Sequence, residues 1–371
     1  MHEPTVMTPE VVLRELDQRG TPQGPARSEG RVGASTLNLV IYSPGTLALD
    51  TVQRLLPHLV ERDPCRVIHV IANPDSTDGV QVRTRTQTQD VYPGSPQVAC
   101  ELITIELPEV GAQGLEGLVV PLLDPDLPVY LWWRGSPPFA GPLFDHLLDA
   151  CDRMFFDSVD FEEPEEDLLW LTTLKGREQR LVSFRDLNWT RLLPWKALLA
   201  QFFDTAAQAA YLPGIDEVDI EYVHCPTCFG QVPSRPWLVM GWLASRLRWQ
   251  CASPPVRAHN AEVHVTLTRD DRPVRVTLRP VAKSGSPGGL HSVELRASTP
   301  TPARFYVGYM DDPGYARTVM TTAEGTEVDR VVKKTDSTEL TLMGRELEAP
   351  GRDAIYDETL IFIDSLLRLK D

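Results

Sequence analysis

Compact apolar runs alternate with helically spaced apolar residues through the first half of the chain. Leu37–Tyr42, Arg66–Ala72, Val98–Leu107, Pro128–Trp133 and Met154–Asp157 read as strands. Between them, residues 46–60, 114–123 and 142–152 place apolar side chains along one helical face, which predicts helices. Residues 80–91 (VQVRTRTQTQDV) alternate Thr and Val with long polar side chains, the period of a half-exposed strand or hairpin arm. Repeated alternation of strand and helix predicts a mainly parallel sheet with helices on both faces, a Rossmann-like α/β domain.

The pattern then changes. A short strand is expected at 181–184 and a long helix over Trp189–Asp204, with Leu192, Leu199 and Phe203 on one side. A second unit begins near Val218, with a strand to Val223 and a helix over Pro236–Trp249. Runs rich in Val, Thr and Leu follow at Ala261–Thr268, Pro273–Pro280, His291–Ser298 and Ala303–Tyr309, and Asp270-Asp271 marks a turn between the first two. They predict an antiparallel meander, extended by strands at Val328–Lys333 and Glu339–Leu342 and closed by a helix over 354–369. At the other end, residues 8–19 predict a short helix, and 20–35 (GTPQGPARSEGRVGAS) read as a linker. The expected organisation is a flexible tail over 1–34, an α/β domain over 35–210 and an α+β domain over 211–371.

Charge narrows the partners. The chain has 371 residues, a formal charge of −16 and a pI near 5.0. Such a surface repels phosphate backbones and anionic lipid, so nucleic acid and membrane are poor partners. No apolar run approaches the ~20 residues of a membrane span, and the first residues lack an apolar signal core. Six scattered cysteines fit a reducing compartment, so a cytoplasmic location is expected.

The motifs of common enzymes are missing. No GxGxxG follows a strand; Gly111, Gly114 and Gly117 match it poorly and read as a loop entering a helix. There is no Walker loop, GxSxG elbow or HExxH, so no catalytic residue and no cofactor is assigned. The acidic run Asp160–Asp167 reads as a helix start, where carboxylates suit the dipole. His259 and His264 read as surface and half-buried histidines, not as metal ligands. Cys225 and Cys228 form the one CxxC. It admits a redox dithiol, a structural zinc completed by Cys251 or His259, or two inert thiols on a proline turn, and a lone motif favours the last.

Aromatic and polar residues concentrate in two places. Trp132 and Trp133 are adjacent on a strand and so face opposite sides of the sheet. Asp186, Asn188, Trp189, Arg191 and Trp195 surround a helix start, with Asp186 placed as a cap. Trp189 and Trp195, six apart, are expected to face opposite ways, leaving one partly exposed. Core packing and an interface both remain open for these residues.

Several segments, in order, resemble the glucose-6-phosphate dehydrogenase assembly (OpcA) family. They are Pro64–Ile68, Ala99–Ile103, Leu127–Trp133, Arg153–Ser158, Arg185–Trp195 and Gly241–Leu247, and Arg185–Trp195 is close to identical to the family's pattern. The chain departs at Cys65, where the family carries Ser, and over its first 34 residues. The resemblance implies a non-catalytic protein that binds glucose-6-phosphate dehydrogenase and promotes its active assembly. It also implies a place in the oxidative pentose phosphate pathway and in NADPH production. Photosynthetic members link activity to thiol redox state, and those thiols do not map onto this chain. A rival reading from the residues is an α/β sugar-phosphate-binding protein or enzyme that uses Asp186, Asn188 and Arg191 as polar contacts.

Overall fold

The structure, a computed structural model, describes residues 9–20, 31–32, 35–45, 52, 54–55, 65–73, 80–90, 97–107, 116–138, 141–177, 182–310, 314–333 and 338–369. Two compact units are present. One comprises Met1–Phe156 and Glu178–Arg185, the other Asp157–Arg177 and Asp186–Asp371. The sequence pattern divides the chain at 210/211. In the structure, Asp186 onward already belongs to the second unit, as does the helix Pro164–Arg177, which packs on the C-terminal helix Ala354–Leu367.

The first unit is built on a mainly parallel sheet. Its strands are β1 (Arg31–Val32), β2 (Leu37–Pro44), β3 (Cys65–Ala72), β4 (Gln81–Asp90), β5 (Gln97–Leu107), β6 (Val129–Trp133), β7 (Arg153–Phe156) and β8 (Ser183–Asp186). They run in the order β1-β5-β3-β2-β6-β7-β8, with β4 antiparallel to β5. β2 and β3 are buried along almost their whole length because both faces are covered. The alternating 80–91 segment is the antiparallel arm β4, as its period predicted. Asn38 is buried in β2, where its amide donates to Asp124 O and accepts from Asp124 N, each at 2.9 Å. That pair fixes the loop leading to β6.

Within 1–34, the described residues are 9–20 and 31–32, the first of them the helix expected at 8–19. Pro9–Gly20 is helical, with Val12 buried, and packs against β4, while Arg31–Val32 pairs with β5. Most of 20–35 and of the helix expected at 46–60 lies outside the described residues.

The second unit holds a nine-stranded sheet. Its strands are β9 (Ile215–Val223), β10 (Gln250–Cys251), β11 (Val256–Arg257), β12 (Val263–Arg269), β13 (Arg272–Val281), β14 (Leu290–Ala297), β15 (Ala303–Tyr309), β16 (Tyr315–Thr322) and β17 (Gly325–Lys333). Their order is β10-β12-β13-β9-β14-β15-β16-β17, and β11 pairs with β12. β12–β13 and β14–β15 pair antiparallel as expected, but β9 inserts between β13 and β14 and runs parallel to β13, so the expected four-strand meander is interrupted. β16, which the sequence pattern did not announce, links β15 to β17. Side chains alternate strictly: Val263, Val265 and Leu267 are buried, His264 and Thr266 exposed. On the polar face, Arg279 and Arg296 bind carboxylates of β9, at Asp219 and Glu221 and at Glu217 and Asp219.

Two expectations, one strand and one helix, need correction. Residues Glu339–Glu348 form a helix, not a strand; Thr338 caps it through Thr341 N, and Leu342, Met343 and Glu346 share its buried face. The helix expected over Trp189–Asp204 is broken into Leu187–Arg191 and Leu193–Ala200, followed by a 3-10 turn at Gln201–Phe203. Pro194 has no N–H to continue the first helix, and it suits the first turn of the next one.

Candidate functional site

β8 ends at Asp186, and the chain turns directly into the helix Leu187–Arg191. The carboxylate is buried and caps that helix by accepting from Asn188 N at 2.8 Å. It also accepts from Ser158 N at 3.0 Å, Ser158 Oγ at 2.7 Å and Tyr356 OH at 3.3 Å. Burial, helped by the neighbouring Asp157 charge, raises its pKa to about 6, against the pull of its backbone donors.

Arg191 clamps Asp157 with two parallel bonds, at 2.9 and 2.6 Å, the bidentate geometry of a strong ion pair. Asn188 ties the two halves of the cluster together. Its Nδ2 donates to Ser158 Oγ at 3.0 Å, and its Oδ1 accepts from Arg191 at 3.3 Å and from Arg235 Nε at 2.5 Å. Ser234 Oγ closes the ring by donating to Ser158 O at 2.8 Å. The sequence-predicted Asp186, Asn188 and Arg191 are therefore brought together, and their polar atoms are directed at one another.

Trp189 and Trp195 are both buried, at 4% and 5% exposure, so neither is the exposed tryptophan anticipated. The break at Leu192 and Pro194 makes their helical spacing irrelevant. Trp189 Nε1 donates to Asp353 Oδ2 at 2.8 Å, and Asp353 Oδ1 caps the helix Ala354–Leu367. Lys196 Nζ lies 3.1 Å from the centre of the Trp189 ring. Burial brings the Lys196 pKa down to about 7, opposed by the carboxylates of Asp353, Glu346 and Asp186. Trp195 Nε1 donates to Tyr309 OH at 3.1 Å. Beside it runs an apolar groove of about 160 Å³, lined by Pro194, Trp195, Leu198, Val307, Tyr309 and Val332. Leu193, next in the chain, is exposed.

In the first unit, Trp132 and Trp133 are buried on opposite faces, as adjacent strand residues must be. Trp133 stacks on Tyr42 with ring centres 3.8 Å apart and planes within 11°. Those rings sit at the C-terminal ends of β2 and β6, where the sheet order reverses; open α/β sheets bind ligands at that position.

Cys225 and Cys228 are joined by a disulfide, Cys225 half-buried and Cys228 buried. The remaining described cysteine of that unit, Cys251, is free, and no group of three metal-ligating side chains occurs among the described residues. His259 and His264 are both exposed. Asp160 lies in a 3-10 turn before the helix Pro164–Arg177, whose first turn carries Glu165, Glu166 and Asp167.

Sequence reasoning missed Lys196, Arg235, Asp353 and Tyr356. Tyr356 and Asp353 lie 170 and 164 residues from their partners Asp186 and Trp189, and no local pattern announces such pairings. Asp157 and Ser158 were visible only as the end of the Arg153–Ser158 segment.

Two family models match the chain. One, for the N-terminal domain of the glucose-6-phosphate dehydrogenase subunit, covers residues 57–173; the other, for the C-terminal domain of that same protein, covers 182–360. A Synechocystis sp. protein provisionally named OxPP cycle protein OpcA is 30% identical over 318 residues, covering 83% of this chain and 64% of its own length. A Nostoc punctiforme protein of the same name is 29% identical over 85% of this chain and 68% of its own. This chain thus spans about two thirds of the length of those relatives. Among solved structures, a provisionally assigned oxidoreductase from Parabacteroides merdae has a TM-score of 0.51 at 10% identity, over 91% of this chain and 98% of that one. At that identity the likeness concerns the fold, an α/β sheet unit followed by a second sheet unit.

Proposed function

Because this chain belongs to the glucose-6-phosphate dehydrogenase assembly (OpcA) family, we propose that it is a non-catalytic assembly factor and allosteric activator of glucose-6-phosphate dehydrogenase. It serves the oxidative pentose phosphate pathway and NADPH supply from the cytoplasm. The observation that carries the non-catalytic part is the state of Asp186, Asn188 and Arg191. Each is engaged by neighbouring protein groups, through Ser158, Tyr356, Asp157 and Arg235. A site that consumes its own polar groups holds a scaffold in place; it does not present them to a substrate. The Tyr42–Trp133 stack at the sheet's reversal point favours the same reading.

Activation is then a population shift. The chain binds one state of the dehydrogenase more tightly and so favours it. A coupling of ~1–3 kcal/mol changes substrate affinity about 5–150-fold. The groove beside Trp195 offers apolar area for such a contact, and Leu193, in the same helix, is exposed.

The test is kinetic. Added to its cognate dehydrogenase in molar excess, the chain lowers the glucose 6-phosphate concentration needed for half-maximal rate, and a complex elutes on a sizing column. Superimposable kinetics with no complex would end the activator reading. Turnover of glucose 6-phosphate by the isolated, dehydrogenase-free chain would end the non-catalytic one.

A further inference from the structure

The sheet of the second unit ends in β17, and among the described residues β17 pairs with one strand, β16. Its other edge presents backbone N–H and C=O groups that a further extended strand can pair with. Folds usually blunt such an edge by keeping it short or by breaking it with proline or a bulge. β17 runs for nine residues, Gly325–Lys333, without proline. Its one register shift against β16 lies near its start, between Thr326 and Val328, and Val328–Lys333 pair regularly. Val331 stands in that regular part at 56% exposure. Asp329 and Lys333 lie two positions to either side of it, on the same face of the sheet, and both are exposed. Arg317 of β16 holds Asp329 in place from the other side, by bonds of 2.8 and 2.6 Å.

We propose that β17 is a self-association surface: two copies of this chain join edge to edge, β17 antiparallel to β17, about a two-fold axis through Val331. An axis normal to the sheet keeps each face continuous across the join, so every residue meets one from the same face. Charge then selects the register. An axis through Asp329 would set aspartate against aspartate, and an axis through Arg330 would set arginine against arginine. The axis through Val331 sets valine against valine, Arg330 against Val332, and Asp329 against Lys333 at two symmetric places. Opposite charges facing each other across a strand pair attract, and like charges repel. Backbone hydrogen bonds supply the affinity, and the side-chain pairs fix which residues meet. The regular pairing covers 329–333 on each copy, a small contact, so the dimer is reversible.

Analytical ultracentrifugation of the full chain, alone and from ~1 µM to ~1 mM, tests the proposal across the range of weak, reversible dimers. Wild type passes from monomer to dimer as its concentration rises. Lys333→Glu opposes acid to acid at both places, and Asp329→Lys opposes lysine to lysine. Each variant alone dimerises about tenfold more weakly or worse. An equimolar mixture of the two regains the dimer, because each copy then meets the opposite charge at both places. Val331→Asp, which brings two carboxylates together at the axis, is a third variant that weakens the dimer, and it stands in should either charge change spoil the cooperative melt. A wild type that stays monomeric throughout, a dimer that these variants leave intact, or charge variants that fail to associate when mixed would each overturn the proposal.

Discussion

Asp186→Asn tests the buried network through pH. The folded carboxyl is held near pKa 6, against 3.8 as its ordinary value. Between those two values the folded protein keeps the proton and the unfolded chain does not, so this group's contribution to stability falls as pH rises through the window. The full span corresponds to about 3 kcal/mol, of which about 2 kcal/mol falls between pH of about 4.5 and about 7.5. Asparagine has no such titration. Its oxygen can accept from Ser158 N and Asn188 N as Asp186 does, while its amide faces Ser158 Oγ and Tyr356 OH, which must turn to accept. The variant is therefore expected to sit within ~1 kcal/mol of wild type at the acidic end, where Asp186 is itself protonated, and to gain about 2 kcal/mol relative to wild type by the neutral end. Urea unfolding of both proteins across this range, followed by tryptophan fluorescence, gives the difference directly. A stability difference that stays flat, or that moves against the variant as pH rises, would refute the burial argument.

Trp189→Ala removes a buried ring and the Asp353 bond and should cost ~3–5 kcal/mol, read as a lower urea midpoint; an unchanged midpoint together with lost activation would instead make Trp189 an interface residue. Gly241→Ala, on the helix Ser234–Leu247, would place a Cβ 2.9 Å from Ile363 Cγ1 and should cost ~1–3 kcal/mol through overpacking against Ala354–Leu367; a neutral effect in thermal melts would mean that the two helices can part. The Cys225→Ser, Cys228→Ser double variant should lose any difference in dehydrogenase activation between oxidant and reductant that wild type shows; identical responses of the two proteins would make the disulfide a structural staple only.

Residues with local causes were legible in the sequence. The parallel strands β2, β3, β5, β6 and β7 announced themselves as apolar runs, because a sheet covered on both faces needs no alternation. β4 announced itself by period two, and Asp186 by its place before a helix. The motif Asp186–Trp195 was visible as a concentration of unusual residues, and so was the family it resembles. Tertiary structure decided the rest. β9 lies between β13 and β14 because a parallel partner from earlier in the chain fills that place, which no local pattern encodes. Glu339–Glu348 is helical, although its first residues Glu339–Leu342 are short and apolar enough to read as strand; the Thr338 cap and the buried face of Leu342 and Met343 settle it. Both Trp189 and Trp195 are buried because the helix breaks between them and Asp353 and Tyr309 lie ready to accept their indole N–H groups. Whether Asp186, Asn188 and Arg191 face a substrate or one another depended on Ser158, Arg235 and Tyr356, up to 170 residues away. A sequence sets which groups a chain carries and their local propensities. Which groups meet, and so which charges are spent inside the fold, follows only from long-range packing.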